Sequence, residues 1–138
     1  MKILLDNDVV LDYVLERQPF YAPAAEIFML NAVNDITVYV SGITPVNVFY
    51  TGRKLKGKDF TFKAVRRLLL LVEVCRMDKQ ILQNAFALNF TDYEDAVQCA
   101  SALAENLDAI VTRNTKDYKN SSVKVYSPSE FLQYLQTT

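Results

Sequence analysis

Carboxylates recur in this chain at positions where they can act on a substrate. Asp6 and Asp8 follow the apolar run Ile3-Leu4-Leu5, with one amide, Asn7, between them. Asp92 and Asp95 are three residues apart at a helix start, so they face the same way. Asp117 closes the polar stretch Thr112-Arg113-Asn114-Thr115-Lys116-Asp117. The chain has no histidine, which removes Ser-His-Asp and Cys-His nucleophile systems, His-ligated zinc and imidazole proton shuttles. Its two cysteines, Cys75 and Cys99, have no motif spacing and read as reduced, mostly buried residues of a reducing compartment. Carboxylates gathered without histidine or thiol favour a hard divalent cation, Mg²⁺ or Mn²⁺, bound partly through water. Such an ion can activate water and clamp a phosphate in an in-line displacement, which makes phosphodiester hydrolysis the natural chemistry.

Separated acids meet only if the fold brings them together. Ile3 to Leu5, Ile36 to Val40, Ala109 to Thr112 and Val123 to Tyr126 are short, apolar and rich in β-branched residues, and read as buried strands. Helical patterns lie between them. Pro23 sits at an expected first helical position, ahead of Ala24, Ile27 and Phe28. Residues 62–72 and 81–86 carry apolar residues at helical spacing, and a helix-like segment carries Asn47. Thr91 with Glu94 reads as a capping box opening a helix striped by Ala96, Val97, Ala100, Leu103, Ala104 and Leu107. Ser127-Pro128-Ser129-Glu130 reads as a second. Strands separated by helices imply parallel pairing and a three-layer α/β/α sandwich. In open α/β sheets ligands sit beyond the carboxyl ends of the strands, where Asp6, Asp8, Ser41, Thr112 and Asn114 are expected.

The 138 residues suit a single domain with enough core to fold without disulfides or a structural metal. A 51% apolar and 22% charged composition is that of a globular chain, not a disordered one. No apolar run reaches the length of a membrane span, and an acid after three apolar residues comes too soon for a signal peptide, so a cytoplasmic address is expected. The net charge of −1 hides segregation: residues 53–79 hold nine Lys/Arg against three Asp/Glu, the rest six against thirteen.

Taken in order, these residues resemble the PIN domain family. Leu4-Leu5-Asp6-Asn7-Asp8-Val9-Val10-Leu11-Asp12-Tyr13 is similar to its opening strand, aspartate and aliphatic helix. Ser41-Gly42-Ile43-Thr44 with Asn47 and Tyr50 is similar to the second block. Asp92-Tyr93-Glu94-Asp95-Ala96, then Thr112-Arg113-Asn114 with Asp117-Tyr118, are similar to the third and fourth. The resemblance spans nearly the whole chain. It implies a metal-dependent ribonuclease, commonly a toxin similar to the VapC group, covered by a cognate antitoxin and assembled as a homodimer. It makes Asp6 and Asp95 the principal carboxylates for a Mg²⁺ or Mn²⁺ ion, with Asp117 and Asp92 as secondary metal carboxylates and Asp6, Asp95 and Asp117 as the catalytic set. Asn47, Asn114, Ser41, Thr112 and Asp8 support them. The family usually has glutamate at the position aligned with Asn47, aspartate at that aligned with Asn114, and often asparagine at that aligned with Asp8. Two amides at acidic positions leave a second reading open, an RNA-binding or scaffold module of the same fold with weakened catalysis.

Each residue also has a plainer reading. Asp6 can cap the following helix, and Asp92 can complement a helix dipole. Glu94 is given to the capping box. Asp12, one turn past Asp8, reads as an exposed polar face, and Phe60 and Phe62 read as core. Arg53, Lys54, Lys56 and Lys58 are four cations within six residues. They read either as a solvated face or, together with Arg113, as contacts to RNA phosphates.

Overall fold

The structure, a computed structural model, describes residues 1–137. β1 (Lys2–Leu5), β2 (Thr37–Val40), β3 (Glu73–Val74), β4 (Ala109–Val111) and β5 (Lys124–Tyr126) form one sheet in the order β3-β2-β1-β4-β5. Every pairing is parallel, with Leu4 opposite Tyr39 on one side and Leu5 opposite Val111 on the other. Among the described residues seven α-helices accompany the sheet: α1 (Asn7–Val14), α2 (Tyr21–Ala32), α3 (Thr44–Lys56), α4 (Lys58–Leu71), α5 (Lys79–Asn84), α6 (Tyr93–Ala104) and α7 (Pro128–Gln136). The expected three-layer α/β/α sandwich is therefore the fold. No helix among the described residues is long and apolar enough to cross a membrane.

Strand alternation divides the core into two layers. Ile3 and Leu5 turn to one face, packing with Val9, Ile27, Val38, Val48, Leu68 and Phe131 from β2, α1–α4 and α7. Leu4 turns to the other face, against Cys75, Cys99, Ile110 and Tyr118. Both faces are covered, so the central strands are unbroken apolar runs. The cysteines are free and buried, as expected, and burial pushes the Cys75 thiol up to about 12, helped by Glu105.

Several local expectations shift. Helix α2 begins at Tyr21, which places Pro23 third in the helix, still in the first turn where a missing N–H breaks no helical bond. The second capping box forms as read: the Ser127 hydroxyl accepts from the Glu130 N–H, and the Glu130 carboxylate accepts from the Ser127 N–H. The first does not form. The N-cap of α6 is Asp92, whose carboxylate accepts from the Asp95 N–H at 3.0 Å, one residue later than Thr91. Asp caps at least as well as Thr, and the shifted register releases Glu94. The two-residue β3 is too short for any periodicity to announce it. The 81–86 pattern splits, α5 ending at Asn84 and a 3-10 turn covering Ala85–Leu88. Phe60 and Phe62 are not core; they stand about half exposed on α4. Between α3 and α4 the chain turns at Gly57 with φ of 85°, a conformation that side chains resist.

Leu4 is fully buried at the centre of the sheet. Leu4→Ala is expected to cost about 3 kcal/mol, read by urea denaturation, from lost burial plus the cavity left behind. A loss below about 1 kcal/mol would contradict this packing.

Candidate functional site

The sequence reverses direction across the sheet between β1 and β4, and the carboxyl ends of those two strands carry the candidate acids. Asp6 ends β1. Its N–H donates to the Val111 carbonyl at 3.0 Å, extending the ladder to β4 by one bond. It occupies the N-cap of α1, yet its side chain makes no capping bond. The carboxylate, 6% exposed, instead turns inward to three neutral donors. Gln98 Nε2 donates to Oδ1 at 2.9 Å, and the Thr112 hydroxyl donates to Oδ2 at 2.7 Å. The Tyr118 hydroxyl lies 3.1 Å from Oδ2. These donors come from α6, the end of β4 and the 3-10 turn Thr115–Tyr118, so three segments are registered on one carboxylate.

Asp95 joins through the same phenol, its Oδ1 lying 3.3 Å from the Tyr118 hydroxyl, while Gln98 Nε2 donates to that hydroxyl at 3.1 Å. The phenol has one proton, so it serves one carboxylate at a time. Burial, then Asp6, Asp92 and Asp117, push Asp95 up to about 7 against the opposing hydrogen bond from Tyr118. Asp8 is raised to about 7 by burial and then by Asp6 and Asp12, with Arg113 pulling it down. Burial and the flanking Asp6 and Asp95 hold the Tyr118 phenol firmly protonated.

The amides take unexpected places. Asn114 Nδ2 donates to Asp8 Oδ2 at 3.0 Å, so the side chain at 114 offers a donor to a carboxylate rather than a carboxylate of its own. Asp8 Oδ1 is buried without a partner. Asn47 lies half-buried on α3, one turn beyond Thr44. Ser41 is buried at the end of β2, its hydroxyl 3.4 Å from the Ile43 N–H that donates to it.

Other expected positions stand apart. Asp117 is exposed on the 3-10 turn and acts on Asp95 through its charge. Asp92 is exposed and spends an oxygen on its helix cap. The expected three-acid cage of Asp6, Asp95 and Asp117 is thus not preformed; among the described residues no three acids are grouped to hold an ion. Asp12 is not an exposed polar face. It is 1% exposed and lies 2.9 Å from Arg17 and 2.8 Å from Arg113. Arg113 is thereby drawn toward α1, its guanidinium 3.9 Å from the centre of the Phe20 ring. Arg53, Lys54, Lys56 and Lys58 are exposed where α3 gives way to α4. At 1.5 Å rise per residue the run begins about 9 Å along α3 from Asn47, outside the pocket. A cavity of about 500 Å³ between α1, α2 and α4, lined by Tyr13, Tyr21, Phe60, Lys63 and Arg67, contains none of the candidate acids.

Two residues escaped the sequence reading. Gln98, fully buried, also accepts from the Asn7 N–H at 3.3 Å, and Tyr118 bridges the acids. Gln98 lies one turn after Asp95 inside an apolar stripe, and a polar residue there was the available signal. A cation fits this donor set. The donors are oxygens, one buried carboxylate oxygen lacks a partner, and burial together with neighbouring acids holds two carboxylates up at about 7. Mg²⁺ keeps several waters and takes only one or two protein carboxylates, so a full cage is not required.

An all-parallel sheet flanked by helices, with a buried acid at the adjacent carboxyl ends of β1 and β4, defines a three-layer α/β/α class of protein. Within that class the chain belongs to the PIN domain family, whose model matches residues 2–116. No curated protein matches it. Solved structures share the fold at low identity. VapBC from Salmonella typhimurium bound to DNA is 18% identical with a TM-score of 0.74, covering 93% of this chain and 98% of that one. VapBC2 from Rickettsia felis bound to a promoter DNA fragment is 17% identical with a TM-score of 0.72, covering 92% and 98%. A toxin-antitoxin complex from Klebsiella pneumoniae is 23% identical with a TM-score of 0.67, covering 91% and 97%.

A raised carboxyl stabilises the fold in its protonated form; that contribution is complete below about 4 and is lost as pH rises through about 7. With chelator present, the chain is expected to melt higher at pH 5.5 than at pH 8, and Asp95→Asn to raise the Tm at pH 8 by a few degrees. A lower Tm for Asp95→Asn at pH 8 would contradict this electrostatic picture.

Proposed function

We propose that this chain is a metal-dependent endoribonuclease, the toxin of a toxin-antitoxin pair, which hydrolyses RNA phosphodiesters with a Mg²⁺ or Mn²⁺ ion held by carboxylates. The observation that carries the reading is the buried Asp6 carboxylate, satisfied by neutral donors alone and coupled through Tyr118 to Asp95. Asp6 and Asp95 would hold the ion, with Asp8 beside them and Asp117 and Asp92 adding negative field. When bound, such an ion supplies Lewis acidity and positive charge against a phosphate. Gln98, Thr112 and Tyr118 fix the orientation of Asp6 before substrate arrives, so little reorganisation is left for the reaction. Arg53, Lys54, Lys56 and Lys58 can contact RNA phosphates further along the strand, giving affinity that falls with salt.

The contact between Asp8 and Asn114 bears on the loss of acid at 114. The resemblance implies an amide near the first aspartate and a carboxylate after β4; here the two are exchanged across one hydrogen bond. The charge count at that contact is unchanged. Solved relatives described as VapBC and toxin-antitoxin complexes support an antitoxin partner, and a homodimer and a cytoplasmic address belong to the same reading.

The second reading, an RNA-binding or scaffold module with weakened catalysis, draws on the amide at Asn47 and the absence of a preformed three-acid group among the described residues. Cleavage of a structured RNA separates the two. Activity is expected to need Mn²⁺ or Mg²⁺, to vanish with chelator, and to fall ~100-fold or more in Asp6→Asn. Cleavage that persists in Asp6→Asn overturns the enzyme reading, whereas RNA binding without metal uptake or cleavage favours the module. Asp8→Asn and Asn114→Asp are each expected to lower activity, and the double exchange to recover most of it. A double variant no better than either single one would remove the exchange argument.

A further inference from the structure

The basic middle of the sequence takes a place in the fold that the acidic rim does not use. Helix α4 carries Lys58, Lys63, Arg66 and Arg67 against one acid, Asp59. Among the described residues the ion pairs are those of Arg17 and Arg113 with Asp12 and of Arg76 with Asp78, so the cations of α4 have no carboxylate partner. Lys63 and Arg67 are four residues apart and therefore share one face of the helix. With Phe60 they form one wall of the cavity of about 500 Å³ between α1, α2 and α4. Val14, Leu68 and Leu71 give it an aliphatic floor, and Glu16 is the acid of its lining.

The remaining wall is aromatic. The rings of Phe28, Tyr13 and Tyr21 are nearly parallel: the Tyr13 centroid lies 4.0 Å from that of Phe28 at 12° and 6.2 Å from that of Tyr21 at 3°. Tyr13 and Tyr21 are half-buried and line the cavity, which Phe60, 45% exposed, shares with them. Aromatic faces beside unpaired cations are the combination that stacks a nucleobase and neutralises its phosphates. An amphipathic protein helix is received by an apolar groove, whereas here an ammonium, a guanidinium and two phenols share the lining. The cavity also adjoins both features that the ribonuclease reading gives to RNA. Tyr13 stands about 10 Å along α1 from Asp6, and Phe60 follows closely on the basic run that ends at Lys58.

Resting on the ribonuclease reading, we propose that the cavity between α1, α2 and α4 is a subsite for one nucleotide of a single-stranded RNA segment, away from the bond that is cut. The base enters among Tyr13, Tyr21 and Phe60, and Lys63 and Arg67 take the flanking phosphates. A cavity of about 500 Å³ is within the range of sites that hold small molecules of this size. Phosphate contacts carry no sequence information and every base has a stacking face, so the subsite accepts different bases and fixes the register of the strand on the rim.

The test is fluorescence anisotropy of a short labelled oligouridylate titrated with the full chain in chelator, where neither ion nor cleavage enters, over a series of salt concentrations. Lys63→Gln combined with Arg67→Gln is expected to weaken binding about tenfold or more and to lower the slope of log affinity against log salt by about 1.4, for two phosphate contacts on a single strand. Phe60→Ala is expected to weaken binding about fivefold or more with the slope unchanged, the loss of one stacked base. Affinity within about twofold of wild type in either variant overturns the proposal; if only the charge variant weakens it, the face attracts phosphate and holds no base. Poly-L-glutamate that displaces the label as well as unlabelled oligouridylate does, charge for charge, also overturns it and makes the cavity a groove for an acidic protein segment. Mn²⁺-dependent cleavage of a structured RNA keeps the two readings apart. A wild type that cleaves, with variants that bind like it, leaves the ribonuclease and removes the subsite; a wild type that binds through the cavity without cleaving keeps the subsite and removes the ribonuclease.

Discussion

A carboxylate is held in the interior of this protein by three neutral donors and no cation of its own. Asp6 is fixed by an amide from α6, a hydroxyl at the end of β4 and a phenol from the turn that follows. Hydrogen bonds satisfy its lone pairs but leave its charge in place. The arrangement also registers three segments on the end of β1, so the geometry of the rim and the packing of the sheet are one constraint. Changing Leu4 to Ala loosens the layer that carries Tyr118; changing Asp6 removes what the layer is arranged around.

The contrast with Asp12 shows what uncompensated means here. Asp12 is as deeply buried, nearly two turns further along α1, and two arginines close on it. Arg17 also donates to the Asp8 carbonyl, tying that ion pair to the start of the helix. The fold thus neutralises one acid of α1 with its own side chains and leaves the group at the rim short of positive charge. Asp8 lies between these regimes, raised by burial and Asp6 and relieved in part by Arg113. A site built to take a cation from solution, and with it a phosphate, is expected to keep that imbalance, at a cost in stability when the cation is absent.

Much of this was readable from the residues because it depends on short-range pattern. Ile3 to Leu5 and Ala109 to Val111 are apolar without interruption since both their faces are covered, and the acids and hydroxyls directly after them mark the strand ends. What was not readable depends on partners distant in sequence. Asp12 looks like any polar residue on a helix until Arg113, about a hundred residues away, arrives beside it. Glu94 and Asp92 both match a helix start, and a shift of one residue in the cap decides which of them is free. Tyr118 is a buried aromatic of the core, and the sequence does not tell that its hydroxyl emerges between two carboxylates. Phe60 and Phe62 failed in the opposite sense, since aromaticity alone does not say which face of α4 meets the core.

The central claim is that the rim of β1 and β4 holds a divalent ion between Asp6 and Asp95. Anomalous diffraction from crystals of the chain soaked in Mn²⁺ tests it most directly. The account predicts a manganese peak within coordinating distance, about 2.2 Å directly or one water further, of both carboxylates. A peak held elsewhere on the surface, with the hydrogen bonds of Asp6 to Gln98, Thr112 and Tyr118 undisturbed and only water beside it, would contradict the account.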